Sequence, residues 1–239
     1  KIANSDIFSN YEELKSLSRD NNAPFLYETN VGAALPIIST LNNLINSGDK
    51  IIKIEAVLSG TLNYIFNNFQ EIDTFHEIVS KAVDLGYTEP DPKIDLCGVD
   101  VSRKILILAR ESGYKLEFDD ISKNHFLPND SINKESKEDF LMSLLKNKEH
   151  FNSILNNAKD KGLRLKFVAK LDKGKACVGL EAVGNDHPFY NLVGSDNITV
   201  FYTERYNESP LVVKGAGAGG EFTASGVFAD IIKASQENG

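Results

Sequence analysis

A cluster of carboxylates followed by one lysine is the densest group of chemically useful side chains in the sequence. Glu89, Asp91, Asp95 and Asp100 lie within twelve positions, and Lys104 follows them. Two prolines inside the segment stiffen it, which reduces the entropy lost when these side chains are held in place. Such a group of carboxylates suits the ammonium group of a small substrate.

Asp100 and Lys104 are four positions apart, a spacing that a helix brings onto one face, so we expect them to form an ion pair. The apolar run 105–109 follows the lysine. Partial burial there would lower the pKa of Lys104 towards the working pH and make it a candidate general acid or base. The alternative is a calcium-like loop or a solvated acidic turn with an ordinary helical ion pair, although the spacing does not match an EF-hand.

The elements that must position these residues divide into a helix-rich first half and a strand-rich second half. The order predicts an α+β fold, a mixed β-sheet with helices packed on one face. The two prolines exclude regular helix just after residue 86, and residues 120–134 are polar and irregular. Periodicity and capping signals predict helices over 10–19, 36–46, 62–69, 74–85, 99–111, 137–146, 150–161 and 223–233, and strands over 24–28, 50–58, 163–171, 176–182, 197–203 and 209–214.

Composition limits the function classes. The 239 residues carry 26 Lys and Arg against 34 Asp and Glu, a net charge of −8, which disfavours nucleic-acid binding. No apolar run approaches the ~20 residues of a membrane span, and the first residues do not form a signal peptide. We therefore expect a cytoplasmic protein without a membrane or nucleic-acid partner. Cys97 and Cys177 are far apart and the four histidines are scattered, so neither a disulfide nor a zinc site is expected.

Residues 82–104 resemble the signature of the homoserine dehydrogenases. That signature has a small residue, a glycine, an aromatic, a small polar residue, Asp-Pro, a second Asp, Gly-x-Asp and a final Lys. A match of this length is far more specific than a lone glycine motif. The matching positions are Ala82, Gly86, Tyr87, Thr88, Asp91, Pro92, Asp95, Gly98, Asp100 and Lys104.

The resemblance implies NAD(P)-dependent interconversion of L-homoserine and L-aspartate 4-semialdehyde, a step of threonine and methionine biosynthesis. It assigns acid–base chemistry to Lys104, with Lys1 as its partner and Asp100 as the group that positions it. The other implied site residues hold the substrate: Glu89 and Asp95 at its ammonium group, and Gly60, Thr61 and Tyr87 along the pocket wall.

Three further segments resemble the same family. The run YETNVGAALPII resembles a junction that holds Na+ or K+, with Glu28 and the carbonyls of Val31, Ala33 and Leu35 as implied ligands; it also reads as a turn and a helix start. LSGTLNYIFN resembles the substrate-side turn, and otherwise is a helix N-terminus capped by Ser59 or Thr61. The glycine loop near the end implies NAD(P) contacts at Gly215, Gly217 and Gly219, although it is not the main dinucleotide fingerprint.

The beginning of the sequence departs from the family, which opens with a Rossmann domain whose glycine fingerprint is absent here. The chain also does not begin with methionine. We expect residues 34–215 to form the catalytic and dimerisation domain of a homodimer, in which the strand-rich region 162–206 could form an intersubunit sheet. Residues 1–33 and 216–239 would be remnants that pack with a missing nucleotide-binding domain, without which turnover should be weak. LILARESG and PLVVKGAGAG are most similar to the dehydrogenase half of bifunctional aspartate kinase–homoserine dehydrogenases.

Two other functions are compatible with the sequence. An aspartate-semialdehyde dehydrogenase would need a reactive cysteine in an electropositive setting, whereas Cys97 lies among carboxylates. A non-catalytic dimerisation or binding module would keep the fold and lose turnover. Intact Glu89, Asp100 and Lys104 argue against that loss.

Overall fold

A six-stranded sheet forms the centre of the computed structural model, which describes residues 1–69 and 74–237. The strands are β1 (Ile51–Val57), β2 (Ser122–Asn124), β3 (Arg164–Asp172), β4 (Lys175–Val183), β5 (Asn197–Thr203) and β6 (Leu211–Gly215). Their order in the sheet is β2-β4-β3-β1-β5-β6; β2 runs parallel to β4, and the other neighbours are antiparallel. The predicted mixed sheet is therefore confirmed.

Helices connect these strands and supply most of the first half of the chain. Their ends follow local signals: Thr74 and Glu77 form the expected capping box of the helix that begins at Phe75, and Pro36 precedes the helix that begins at Ile37. The helices are α1 (Ile2–Ser5), α2 (Phe8–Asp20), α3 (Thr29–Gly32), α4 (Ile37–Asn46), α5 (Gly60–Asn68), α6 (Phe75–Asp84), α7 (Pro92–Leu96), α8 (Val99–Glu111), α9 (Asn129–Ile132), α10 (Lys137–Lys146), α11 (Lys148–Lys159) and α12 (Gly220–Glu237).

The two faces of the sheet are packed differently because successive strand residues point to opposite sides. Ile54 and Phe167 belong to the large core that the helices cover. Val57 and Val168 belong to a smaller cluster on the other face, where Phe189 from the connection between β4 and β5 packs against them. Each fully buried side chain of this size stabilises the fold by about 1.5–3 kcal/mol, so the helix-covered face contributes most of the core.

Three predictions about elements were wrong. Residues 24–28 form no strand, because no described strand lies beside them to pair with. A one-turn helix, α7, forms in spite of the prolines: Pro92 occupies its first position, where a backbone N–H is not needed, and Asp91 caps it by accepting from the Lys93 amide at 3.0 Å. The segment 120–134, expected to be irregular, contains β2 and α9.

No helix within residues 1–69 and 74–237 combines the length and the apolar character needed to cross a membrane.

Candidate active site

A cavity of about 1000 Å³ lies where the ends of several elements meet, and most of the predicted site residues line it. Segments distant in sequence contribute to its wall: the chain start, α3, the beginning of α5, the acidic segment with α7 and α8, and the glycine loop before α12. Of the predicted site residues, those at the cavity are Lys1, Val31, Ala33, Gly60, Thr61, Tyr87, Glu89, Asp95, Asp100, Lys104, Gly217 and Gly219.

Asp100 stands between two lysines in this cavity. Lys104, one turn further along α8, places its Nζ 3.0 Å from Asp100 Oδ2, as the spacing predicted. The Lys1 side chain pairs with the other carboxylate oxygen. Lys104 also donates to the carbonyl oxygen of Leu58, the residue after β1, at 2.7 Å. The lysine nitrogen is thus held by Asp100 and by the Leu58 carbonyl at the edge of the cavity that Lys104 lines.

Burial sets the electrostatics of this pair. It lowers the pKa of Lys104, with the nearby Lys1 charge adding to the effect and Asp100 only partly offsetting it. Burial would raise the pKa of Asp100, but the charges of Lys104 and Lys1 outweigh it and lower that pKa. The carboxylate therefore stays ionised, while the lysine is shifted towards a neutral amine that can accept a proton.

The acidic segment forms a second group of polar atoms at the cavity. The backbone amide of Glu89 donates to Asp95 Oδ2 at 2.8 Å, which closes the loop onto α7. Burial raises the pKa of Asp95, and the charges of Glu89 and Asp100 raise it further against the hydrogen bonds that lower it. A cationic group bound here would relieve this crowding of negative charge. The site is therefore suited to an ammonium ion.

The N-terminus of α5 faces the same cavity. Ser59 caps it by accepting from the Leu62 amide at 3.2 Å, and Gly60 and Thr61 line the cavity. The Thr61 hydroxyl donates to the carbonyl of Tyr87, which ties the helix to the acidic segment. Helix N-termini attract anions. The cavity thus offers backbone amides for a carboxylate at this helix end, beside the acidic segment.

The glycine loop presents backbone at the cavity in a way that only small residues allow. A Cβ on Gly217 would lie 2.0 Å from Asn197 Nδ2, and Gly219 has φ +115°, which a side chain disfavours. Gly217 therefore packs closely on Asn197, and both glycines present backbone at the cavity without a side chain. Gly215, the third predicted contact, ends β6 and does not line the cavity; its neighbour is Leu35.

Two of the four candidate cation ligands, Glu28 and Leu35, accept hydrogen bonds at the start of α4. Both Glu28 carboxylate oxygens accept backbone amides at the start of α4, Ile38 at 2.6 Å and Ser39 at 2.9 Å. The Leu35 carbonyl accepts from the Ile37 amide at 2.8 Å. These groups cap the helix, and in the described part of the chain no three His, Cys, Asp or Glu side chains are arranged to hold a metal ion. The Na+ or K+ site stays a prediction.

Sequence reasoning missed several residues of the cavity wall, among them the polar Arg103 and Ser195. Arg103, beside Lys104 on α8, lines the cavity, and its position next to the signature lysine was a signal that could have found it. Ser195 also lines it, but it lies 91 residues after Lys104, the last residue of the signature, and no local pattern marks it. Burial raises the pKa of Cys97 and of Cys177, so neither thiol has the activated character of a nucleophile.

Comparisons with known proteins identify the family of the chain. A model of the homoserine dehydrogenase family matches residues 36–232. The chain is 46% identical over 237 residues to a chloroplastic bifunctional aspartokinase/homoserine dehydrogenase 1 of Zea mays, covering 98% of this chain and 26% of that protein. The chain thus spans about a quarter of the length of that relative.

Solved structures share the fold. A Candida auris protein of unknown function matches with a TM-score of 0.92 and 38% identity, over 98% of this chain and 67% of that one. A hyperthermophilic archaeal homoserine dehydrogenase mutant in complex with NADPH matches with a TM-score of 0.72 and 31% identity, over 97% and 61%. By its family match, its sequence identity and its fold, the chain belongs to the homoserine dehydrogenase family.

Proposed function

We propose that this chain forms the substrate-binding and catalytic part of an enzyme that interconverts L-homoserine and L-aspartate 4-semialdehyde with NAD(P). The observation that carries the proposal is the buried Lys104, whose ammonium is paired with Asp100 at 3.0 Å in a cavity that also holds an acidic cluster and a helix N-terminus. A hydroxylated amino acid needs these three partners: a base for its hydroxyl, anions for its ammonium and N–H donors for its carboxylate.

Each side chain then has a defined task in the oxidation of homoserine. Lys104, in its neutral form, accepts the proton of the 4-hydroxyl, and in the reverse direction its ammonium returns that proton. Asp100 and the Leu58 carbonyl hold the lysine nitrogen in place. Glu89 and Asp95 bind the substrate ammonium, and the α5 N-terminus at Gly60 and Thr61 receives the carboxylate.

The glycine loop is proposed to hold the nicotinamide cofactor against this pocket, since Gly217 and Gly219 expose their backbone there. NAD(P), when bound, would accept or supply the hydride. The archaeal relative bound to NADPH supports a nicotinamide cofactor. The exposed side chains of Val227, Phe228 and Ile231 on α12 support the proposal that residues 216–239 pack, together with residues 1–33, against a nucleotide-binding domain.

Absorbance at 340 nm tests the proposal, with L-homoserine and each of NAD and NADP. This chain and the full-length product of its gene are assayed side by side. Reduction of the nucleotide by the full-length protein, with little or none by the chain alone, is the expected result. A folded full-length protein that reduces neither nucleotide with L-homoserine would instead favour a non-catalytic dimerisation or binding module.

Three further expectations belong to the same proposal. We infer a homodimer, supported by the strand-rich second half, and sedimentation analysis would measure it.

Na+ or K+ at Glu28 predicts higher activity in either salt than in choline chloride at equal ionic strength. A cytoplasmic location stays a prediction, to be checked by fractionation, since the Zea mays relative is chloroplastic by name.

A further inference from the structure

The turn at residues 194–196 forms part of the cavity wall although it belongs to a different part of the chain from the signature. Ser195 lines the cavity beside Gly60. The two backbones approach so closely that a Cβ on Gly60 would lie 3.1 Å from the Ser195 carbonyl oxygen. The place of this turn therefore sets the width of the cavity at the N-terminus of α5.

Two asparagines on one face of α5 hold the turn. Asn63 Nδ2 donates to the Asp196 carbonyl and Asn67 Nδ2 donates to the Gly194 carbonyl, each at 3.0 Å. Because the two residues are four positions apart, they share a helix face. They bracket Ser195 from both sides and leave their side-chain oxygens free to accept another donor.

That donor is Lys166 on β3. Its Nζ donates to Asn67 Oδ1 and to the Leu192 carbonyl, the latter at 2.6 Å, and lies 3.4 Å from Asn63 Oδ1. An ammonium group has three hydrogens, and all three are directed to α5 or to the connection that carries the turn. Lys166 thus joins the two pieces of chain that meet at the cavity wall.

The sheet register explains how a strand lysine reaches α5. Ala56 of β1 faces Ala169 of β3, so the antiparallel register extends to place Lys166 level with Ser59, beyond the end of β1. Lys166 is only 1% exposed. None of the ion pairs found in the described part of the chain includes it, and burial lowers its pKa to about 8, with the charges of Arg164 and Lys214 adding to the effect.

A buried ammonium without a carboxylate partner is costly, so the three acceptors must offset its desolvation. An apolar side chain of similar length would avoid that cost if filling space were the only requirement. Lys166 instead links α5 to the connection that carries the turn through polar contacts, which an apolar side chain would not make.

We propose that Lys166 is a positioning residue for the substrate: with Asn63 and Asn67 it fixes the turn at 194–196, and hence Ser195, against the α5 N-terminus that receives the amino-acid carboxylate. This inference rests on the proposed function. It assigns a role in substrate affinity to a residue that does not itself line the cavity.

Lys166→Met in the full-length gene product tests it. We expect KM for L-homoserine to rise about tenfold, because a displaced wall misplaces the carboxylate, while kcat and KM for the nucleotide change less than about twofold. Hydrogen exchange should quicken at amides 192–196. The matched control is Lys170→Met, on the same strand, whose lysine pairs with Glu55 and Glu181 and does not touch the turn; it should leave KM for L-homoserine unchanged.

Asn67→Ala provides a milder variant should Lys166→Met fail to fold, with the same direction of change. An active wild type whose KM for L-homoserine is unaltered by either substitution would overturn this inference alone. Equal increases in both KM values would also overturn it, since they would indicate a general loss of structure. An inactive, folded wild type would instead refute the proposed function, and with it the role assigned here.

Discussion

Two clusters in the described part of the chain place one carboxylate between two lysines, and they differ in which partner is buried. In the cavity, Asp100 contacts Lys1 and Lys104, and the buried member is Lys104. On the sheet, Glu55 lies 3.1 Å from Lys53 and 3.4 Å from Lys170, and the buried member is the carboxylate, at 4% exposure.

The difference in burial reverses the electrostatic outcome. Desolvation lowers the pKa of Lys104 and prepares it for proton transfer. In the sheet cluster, burial would raise the pKa of Glu55, but the nearby His187, Lys53 and Lys170 lower it to about 2. The pKa of Lys170 is raised, because Glu181 and Glu55 outweigh its burial. The same residue types thus give a candidate base in one place and a stable ion cluster in the other.

The largest expected effect comes from Lys104→Ala in the full-length gene product. Removing the acid–base group should lower kcat for L-homoserine oxidation by about 10²–10⁴-fold, with the fold retained. Lys53→Ala, in the sheet cluster, is the matched control and should leave kcat within about twofold. If kcat of Lys104→Ala were within a few-fold of wild type, Lys104 would not be the acid–base group, and the two clusters would not differ in function.

Glu55→Gln should lower stability rather than activity. The pKa of Glu55 falls from 4.5 to about 2 on folding. A lowered carboxylate pKa stabilises the fold above the unfolded value, here by about 3 kcal/mol at pH 7. That contribution is lost as the pH falls from about 4.5 to about 2. Urea unfolding of this chain at several pH values should therefore show a free energy of unfolding that is lower for the variant than for the wild type at pH 7. This difference should disappear in acid.

Glu204→Gln is the control for that experiment, because Glu204 pairs with Lys50 at 3.1 Å on the exposed surface. It should change the free energy of unfolding by less than about 1 kcal/mol at every pH. If the free energy of unfolding of Glu55→Gln stays below that of the wild type by the same amount from pH 7 to pH 2, the loss of stability comes from packing and not from the carboxylate charge.

Asp100→Asn should move the pH profile of homoserine oxidation. Asp100 raises the pKa of Lys104 against its burial, so its removal lowers that pKa further. Because the neutral amine is the base, the rise of kcat with pH should then occur at lower pH than in the wild type. Steady-state rates across the pH range measure this. A rise displaced to higher pH would contradict the assignment of Lys104 as the base.

The sequence determined the local elements and the signature of the site. The limits predicted for α8, α10 and β5 match the structure, because helical periodicity, strand alternation and caps are written in neighbouring residues. The spacing of Asp100 and Lys104 likewise specified their ion pair. The strand expected at 24–28 failed because a strand requires a partner, which no local pattern supplies.

Only the tertiary structure decided how the site is enclosed. Ser195 reaches the cavity, and Lys166 reaches the asparagines that hold the turn, through contacts between segments about 100 or more residues apart. The sequence likewise contains both clusters of two lysines and one carboxylate without distinguishing them. The packing of the sheet, α5 and α8 decides which charged group is buried. Because desolvation depends on burial in the folded chain, residue type alone does not predict which pKa shifts.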